Sequence, residues 1–112
     1  MLHKMKLQNN PYNSILYGNK DIEMRLYDEK RRLINKGDKI CFTNIDTGES
    51  FVADVICLHR FNNFEEIYSC FDKERLGYSK VDIANYKDME QYYSKEDIVK
   101  YGVVGIEIRV NK

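Results

Sequence analysis

Residues 18–32, GNKDIEMRLYDEKRR, hold the pattern on which the fold turns. Ile22, Met24 and Leu26 alternate with Asp21, Glu23 and Arg25, the two-residue period of a half-buried strand. In an extended chain Asp21, Glu23, Arg25 and Tyr27 point one way and the apolar row points the other. Same-face neighbours lie about 7 Å apart, so Glu23 and Arg25 can bridge each other or share a polar ligand. Lys20 stands just before the strand, where its stem can lie on apolar surface while the ammonium reaches into a cleft. Periodicity alone equally describes an ordinary sheet wetted on one face.

Upstream, His3 to Leu7 reads as a first short strand with Met5 and Leu7 on one side. Asn10-Pro11 predicts a helix start, with asparagine as cap and proline at the first helical position, and Gly18 its left-handed stop. Downstream, Asp28 is placed to cap a brief helix carrying Glu29, Lys30, Arg31 and Arg32. A turn at Lys36-Gly37-Asp38 leads to a strand over Lys39 to Ile45, and Asp46-Thr47-Gly48-Glu49 turns the chain back. Phe51 to His59 is nearly continuous in apolar residues, which predicts cover on both faces and leaves Asp54 to be explained.

Asn63 and Glu66 resemble a capping box ahead of Phe64, Ile67, Tyr68 and Phe71 at helical spacing. Asp72 to Ile83 has no periodicity and reads as a loop. Met89, Tyr92 and Tyr93 suggest a helical stretch near Lys87 to Tyr93. Ser94 opens a short helix that ends at Gly102. Val104, Ile106, Ile108 and Val110 form one face of a last strand. The sum is an α+β chain: about five strands with short helices, a small mixed sheet or partly open barrel.

A chain of 112 residues suits one compact domain. The 18 basic residues are matched by 18 acidic ones. Proteins that grip long duplexes through many phosphates carry a basic excess, so a nucleic-acid role here calls for a local patch or a small ligand. Cys41, Cys57 and Cys70 form no C-x-x-C pair and read as buried thiols in a reducing compartment. His3 and His59 stand apart from them, which gives no metal site, and nothing implies a cofactor. The opening MLHKMKLQNN lacks the apolar run of a signal peptide, and no segment is long enough to span a membrane. A cytoplasmic protein is expected.

Gly18-x-Lys20-x-x-Glu23-x-Arg25 looks like the G-x-K-x-x-E-x-R signature of the ASCH domain family, part of the PUA-like superfamily of small β-barrels. Pro11-Tyr12-x-x-Ile15, Asp28-Glu-Lys-Arg-Arg32, Lys36-Gly37-Asp38 and Tyr101-Gly102-Val103 match as well, and only Asp72 to Tyr93 has no counterpart. The resemblance implies a single PUA-like mixed β-barrel over residues 1–112, with flanking short helices and the motif on the floor of a cleft. It also implies an RNA- or nucleotide-binding module. Lys20 and Arg25 would contact phosphate or a base edge, and Glu23 would accept from a base amino group or orient Arg25. Asp21 stays a wetted-face residue on this reading.

Lys30, Arg31 and Arg32 are the one compact basic run; an extended phosphate path and a solvated helix face paired with Asp28 and Glu29 describe them equally. Tyr27, which shares the motif face, and Tyr78, in a polar loop, are the tyrosines to test for base stacking. Lys20→Ala and Arg25→Ala are expected to weaken RNA binding while the fold survives.

The resemblance also offers an alternative, a small amidohydrolase acting on acylated cytidine nucleosides. Its relatives use a lysine, a threonine three residues later and a distant glutamate. Lys20 matches the lysine, but Glu23 stands at the threonine position. Glu23 would serve as a catalytic base only with a raised pKa, which a neighbouring lysine opposes. Asp72 or Glu74 would have to supply a second acid.

Overall fold

The computed structural model describes residues 1–111. Five strands, β1 (Leu2–Leu7), β2 (Ile22–Leu26), β3 (Lys39–Asn44), β4 (Ser50–Phe61) and β5 (Val103–Val110), form one sheet in the order β1-β3-β4-β5-β2. The β1–β3 pairing is parallel and the others are antiparallel. Helices α1 (Asn9–Leu16), α2 (Glu29–Arg32), α3 (Phe64–Cys70) and α4 (Lys95–Tyr101) connect the strands, with short 3-10 turns at Lys73–Leu76 and Tyr86–Gln91.

β4 carries a register shift between Val55 and Cys57, a bulge of the kind that bends a long strand. The sheet curls until its two edge strands approach, and Arg25 Nη2 of β2 donates to the Lys6 carbonyl of β1 at 3.0 Å. The result is a five-stranded half-barrel with an unclosed seam between β1 and β2.

Two cores sandwich the curled sheet. Met5, Leu7, Ile40, Phe42, Val55 and Ile106 fill the concave side, where Tyr12 and Ile15 of α1 close it. Ile22, Met24 and Leu26 face the other way, packing with Phe64, Ile67, Leu76 and Val103 beneath α3 and the first 3-10 turn. Each such side chain contributes about 1.5–3 kcal/mol by leaving water. β2 therefore has cover on both faces. Across β5, Glu23 is registered with Ile106 and Arg25 with Val104, both concave-core residues. The simple wetted-face picture fails at Glu23, which is only 5% exposed.

Several local expectations change. α1 starts at Asn9 with Gln8 as its cap, two residues ahead of the predicted cap Asn10, so Pro11 is the third helical residue rather than the first, and no side chain caps it. Gly18 is not left-handed: a Cβ there would lie 2.8 Å from the Ser14 carbonyl oxygen, so glycine is needed for clearance. The cysteines are not deeply buried; Cys41 and Cys57 are half-buried and Cys70 is exposed. In β4 only Ala53 and Val55 are buried while Ile56 to His59 are all half-buried, and Asp54 pairs across the sheet with Lys39. The loop expected over Asp72 to Ile83 holds apart from a 3-10 turn at Lys73–Leu76, and the helical stretch expected near Lys87 to Tyr93 is a 3-10 turn at Tyr86–Gln91.

Asp38 ties the end of the Lys36–Asp38 turn to β1. His3 Nε2 lies 2.8 Å from Asp38 Oδ2, and the Asn35 amide donates to the same oxygen at 3.0 Å. These bonds hold the Asp38 carboxyl down at about 2. A depressed carboxyl stabilises the fold fully above its unfolded value, near 3.9, and that contribution is lost as pH falls towards the folded one. Asp38→Asn is expected to be less stable than wild type at pH 6, with the gap narrowing between about pH 4 and pH 2; urea melts along that pH series check it.

Candidate functional site

The open seam leaves backbone groups without strand partners. Ile108 N donates to the Asp21 carbonyl and Tyr27 N to the Gly102 carbonyl, so the odd-numbered residues of β2 face β5. The even-numbered residues then present their backbone groups to the free edge. Lys20 meets one of them: its Nζ donates to the Ile22 carbonyl at 3.0 Å and to the Leu76 carbonyl at 3.1 Å. The third partner of Nζ is Glu23 Oε1 at 3.4 Å. The other Glu23 oxygen accepts from Arg25 Nε at 2.7 Å, while Arg25 Nη2 reaches across to Lys6. One carboxylate between two cations thus ties together β2, β1 and the 3-10 turn that ends at Leu76.

Burial pushes the Glu23 carboxyl up, but the charges and hydrogen bonds of Lys20 and Arg25 outweigh it and hold the group below its ordinary value. Arg25 loses by burial and gains more from Glu23, so its guanidinium is held more firmly protonated. Gly77, left-handed at φ +107, lets the chain pass close to Lys20, since a Cβ there would sit 3.2 Å from Lys20 Cδ.

A cleft of about 690 Å³ lies over this triad. Lys6 to Ser14, from the end of β1 into α1, form one wall, and residues between Tyr68 and Tyr93 form the other. Lys20, Glu23 and Arg25 are part of its lining, together with Tyr68, Tyr78, Tyr92 and Tyr93. The Tyr78 hydroxyl donates to Asp88 Oδ2 at 2.6 Å and lies 2.8 Å from the Tyr68 hydroxyl. Burial and the Asp88 carboxylate raise the Tyr78 pKa, which keeps the phenol a donor. Tyr93 stacks on Phe64, and Tyr92 is left 55% exposed at the rim. Charges balance: Lys6, Lys20 and Arg25 face Glu23, Asp82 and Asp88.

The remaining residues singled out from the sequence lie elsewhere. Tyr27 is absent from the cleft lining, and the guanidiniums of Arg32 and Arg60 lie 4.4 and 5.5 Å from its ring centre. Arg31 is held by Asp28 at 3.0 Å, and Lys30 and Arg32 are exposed on α2. Asp72 and Glu74 do not line the cleft. Asp21, whose side chain is 41% exposed, takes a two-pronged bond from Arg75 at 2.8 and 3.1 Å. Asp88, Tyr92 and Tyr93 were missed as site residues because their spacing reads as packing. Their clue was the density of tyrosines and acids in a stretch without a clean period. Among the described residues no group of three or more His, Cys, Asp or Glu is placed to hold a metal ion, and no helix is long and apolar enough to cross a membrane.

The architecture and sequence have clear relatives. The hypothetical protein PH0355 superposes with a TM-score of 0.83 at 33% identity, over 99% of this chain and 100% of that one. Protein PF0455 from Pyrococcus furiosus gives 0.73 at 34% identity, over 100% and 99%. A mutant of the ZmASCH protein from Zymomonas mobilis gives 0.65 at 13% identity, over 96% of this chain and 67% of that one, a likeness of fold. No curated protein matches the chain. The ASCH domain pattern matches residues 5–111, from β1 through the end of β5, and on this match the chain belongs to the ASCH domain family, with the PUA-like half-barrel that its sequence implied.

Proposed function

We propose that the chain acts as one module that binds a nucleobase of RNA, or of a free nucleoside or nucleotide, in the seam cleft. The observation that carries this reading is the cleft's chemistry: four tyrosines around a floor whose cations and carboxylates cancel. Aromatic rings stack on unpaired bases whatever their identity, and carboxylates accept from exocyclic amino groups. A charge-neutral pocket suits the base better than the phosphate. Lys20, Glu23 and Arg25 supply the polar floor, where Arg25 is the cation with donors left to turn towards a ligand.

Two contacts weigh against the amidohydrolase reading, in which Lys20 and Glu23 would be catalytic. Lys20 Nζ already donates to two backbone carbonyls and sits 3.4 Å from Glu23 Oε1 in an ion pair. Glu23, held ionised below its ordinary value between two cations, is a weak base for activating water.

Tyr92→Ala is the test, because this exposed ring can go without disturbing the core. Loss of one stacked base corresponds to about 1–3 kcal/mol, so affinity for a short single-stranded RNA should fall roughly 5- to 150-fold with the melting temperature unchanged. Absence of saturable binding by wild type to any common nucleoside or short RNA would sink the reading.

A further inference from the structure

Outside the cleft, two cations converge on one ring, and among the described residues neither is in an ion pair. Arg32 and Arg60 lie 4.4 and 5.5 Å from the centre of the Tyr27 ring. Both are exposed, and among the described residues neither has a carboxylate within ion-pairing distance. Their neighbours behave differently: Arg25 is paired with Glu23, Arg31 with Asp28 and Arg75 with Asp21. Nearby, Lys100 lies 5.0 Å over the Tyr101 ring, and Arg32 Nη2 donates to the Tyr101 carbonyl at 3.4 Å. The only acid in this vicinity along α2 without an ion pair among the described residues is the exposed Glu29.

Gathering guanidiniums at one spot costs repulsion, which the face of an aromatic ring offsets only in part. Apart from the long Arg32 bond to the Tyr101 carbonyl, their planar donor forks have no protein acceptor among the described residues, and such forks match the paired oxygens of a phosphodiester. Position adds a second argument. Tyr27 follows Arg25 by two residues, one past the end of β2, where its amide still bonds the Gly102 carbonyl, so it continues the same face about 7 Å further along. A strand whose base sits over Glu23 and Arg25 would run onto Tyr27 next. The balanced charge of the whole chain makes this local surplus the more specific.

From this we infer that Arg32, Arg60 and Tyr27 form a phosphate-binding platform that holds the backbone of a single-stranded RNA next to the nucleotide in the cleft. The inference rests on the nucleic-acid reading of the cleft and extends it: the ligand is a strand, and a free nucleoside fills only half of the site.

The experiment compares wild type, the Arg32→Gln/Arg60→Gln double variant, the Arg32→Lys/Arg60→Lys double variant and Tyr92→Ala. Each is titrated with a short single-stranded RNA of mixed sequence over a salt series, and separately with nucleosides and inorganic phosphate. Two lost phosphate contacts should flatten the slope of log K against log salt by about 1.4, at about 0.7 per contact for single strands. The glutamine pair is expected to show that flattening and weaker RNA binding, with nucleoside affinity and melting temperature unchanged. The lysine pair should keep most of the slope.

A glutamine pair with the wild-type slope overturns the platform while leaving the cleft reading intact. So does wild-type binding of nucleosides without any binding of RNA. RNA binding that depends on the arginines but is indifferent to Tyr92→Ala removes the cleft reading and leaves the platform. Equal binding of inorganic phosphate by wild type and the glutamine pair also counts against an anion site at these arginines.

Discussion

Glu23→Ala is expected to lower the free energy of unfolding by about 3–5 kcal/mol, the cost of breaking a buried ion pair by removing one partner. Glu23 is 5% exposed and Lys20 7%, so deleting the carboxylate leaves a buried ammonium and guanidinium facing each other without their shared anion. A carboxylate on a wetted sheet face would cost less than about 0.5 kcal/mol, so urea unfolding separates the two pictures of β2. The pH dependence has a definite sign. The folded carboxyl is depressed, so its stabilisation is full above the unfolded value near 4.3 and is lost on protonation. The gap between wild type and Glu23→Ala should therefore close as pH falls below about 4.

The same geometry changes how the motif is to be tested. Lys20→Ala and Arg25→Ala look from the sequence like clean binding variants. In the fold Lys20 satisfies carbonyls on β2 and on the turn at Leu76, and Arg25 satisfies one on β1. An orphaned buried carbonyl costs about 1–3 kcal/mol, so these variants lose stability along with any ligand. Tyr92 and Arg60 satisfy no carbonyl, and Arg32 meets only an exposed one at 3.4 Å, so their variants report on binding with little cost in stability.

What was legible in the sequence follows from the range of the forces involved. Ile22, Met24 and Leu26 announced their strand because alternation is a local consequence of the pleat. Asn63 and Ser94 were readable as helix caps for the same reason: the amides they accept from, those of Glu66 and Asp97, are three residues on. The G-x-K-x-x-E-x-R spacing pointed to Lys20, Glu23 and Arg25, which the fold brings into one contact network. Of the far wall of the cleft only Tyr78 was singled out, and its partners were not readable. Tyr78 meets Asp88 and Tyr68 only through tertiary packing of two 3-10 turns, whose side chains have no strong amphipathic period. Tyr27 shows the reverse failure. It shares the motif face in sequence, yet α2 and the end of β4 place arginines against its ring.

Arg25→Lys is the sharper test of why the seam holds. The substitution keeps the charge beside Glu23 but removes the fork, because one ammonium cannot reproduce Nε on Glu23 at 2.7 Å and Nη2 on the Lys6 carbonyl at 3.0 Å. The expected loss is about 1.5–3 kcal/mol, that of one hydrogen bond to a charged group, with Arg25→Ala costing more because Glu23 also loses a counter-ion. Amide hydrogen exchange locates the loss: protection should fall in the β1–β3 and β2–β5 pairings at the two edges, while the β3–β4 and β4–β5 ladders keep theirs. Full wild-type stability in Arg25→Lys would mean that charge alone matters and that packing of α1 holds the edges together. The expected result instead makes one side chain both the clasp of an unclosed barrel and part of the floor of its cleft. Ligand affinity would then fall with seam stability even where the lysine keeps the local charge.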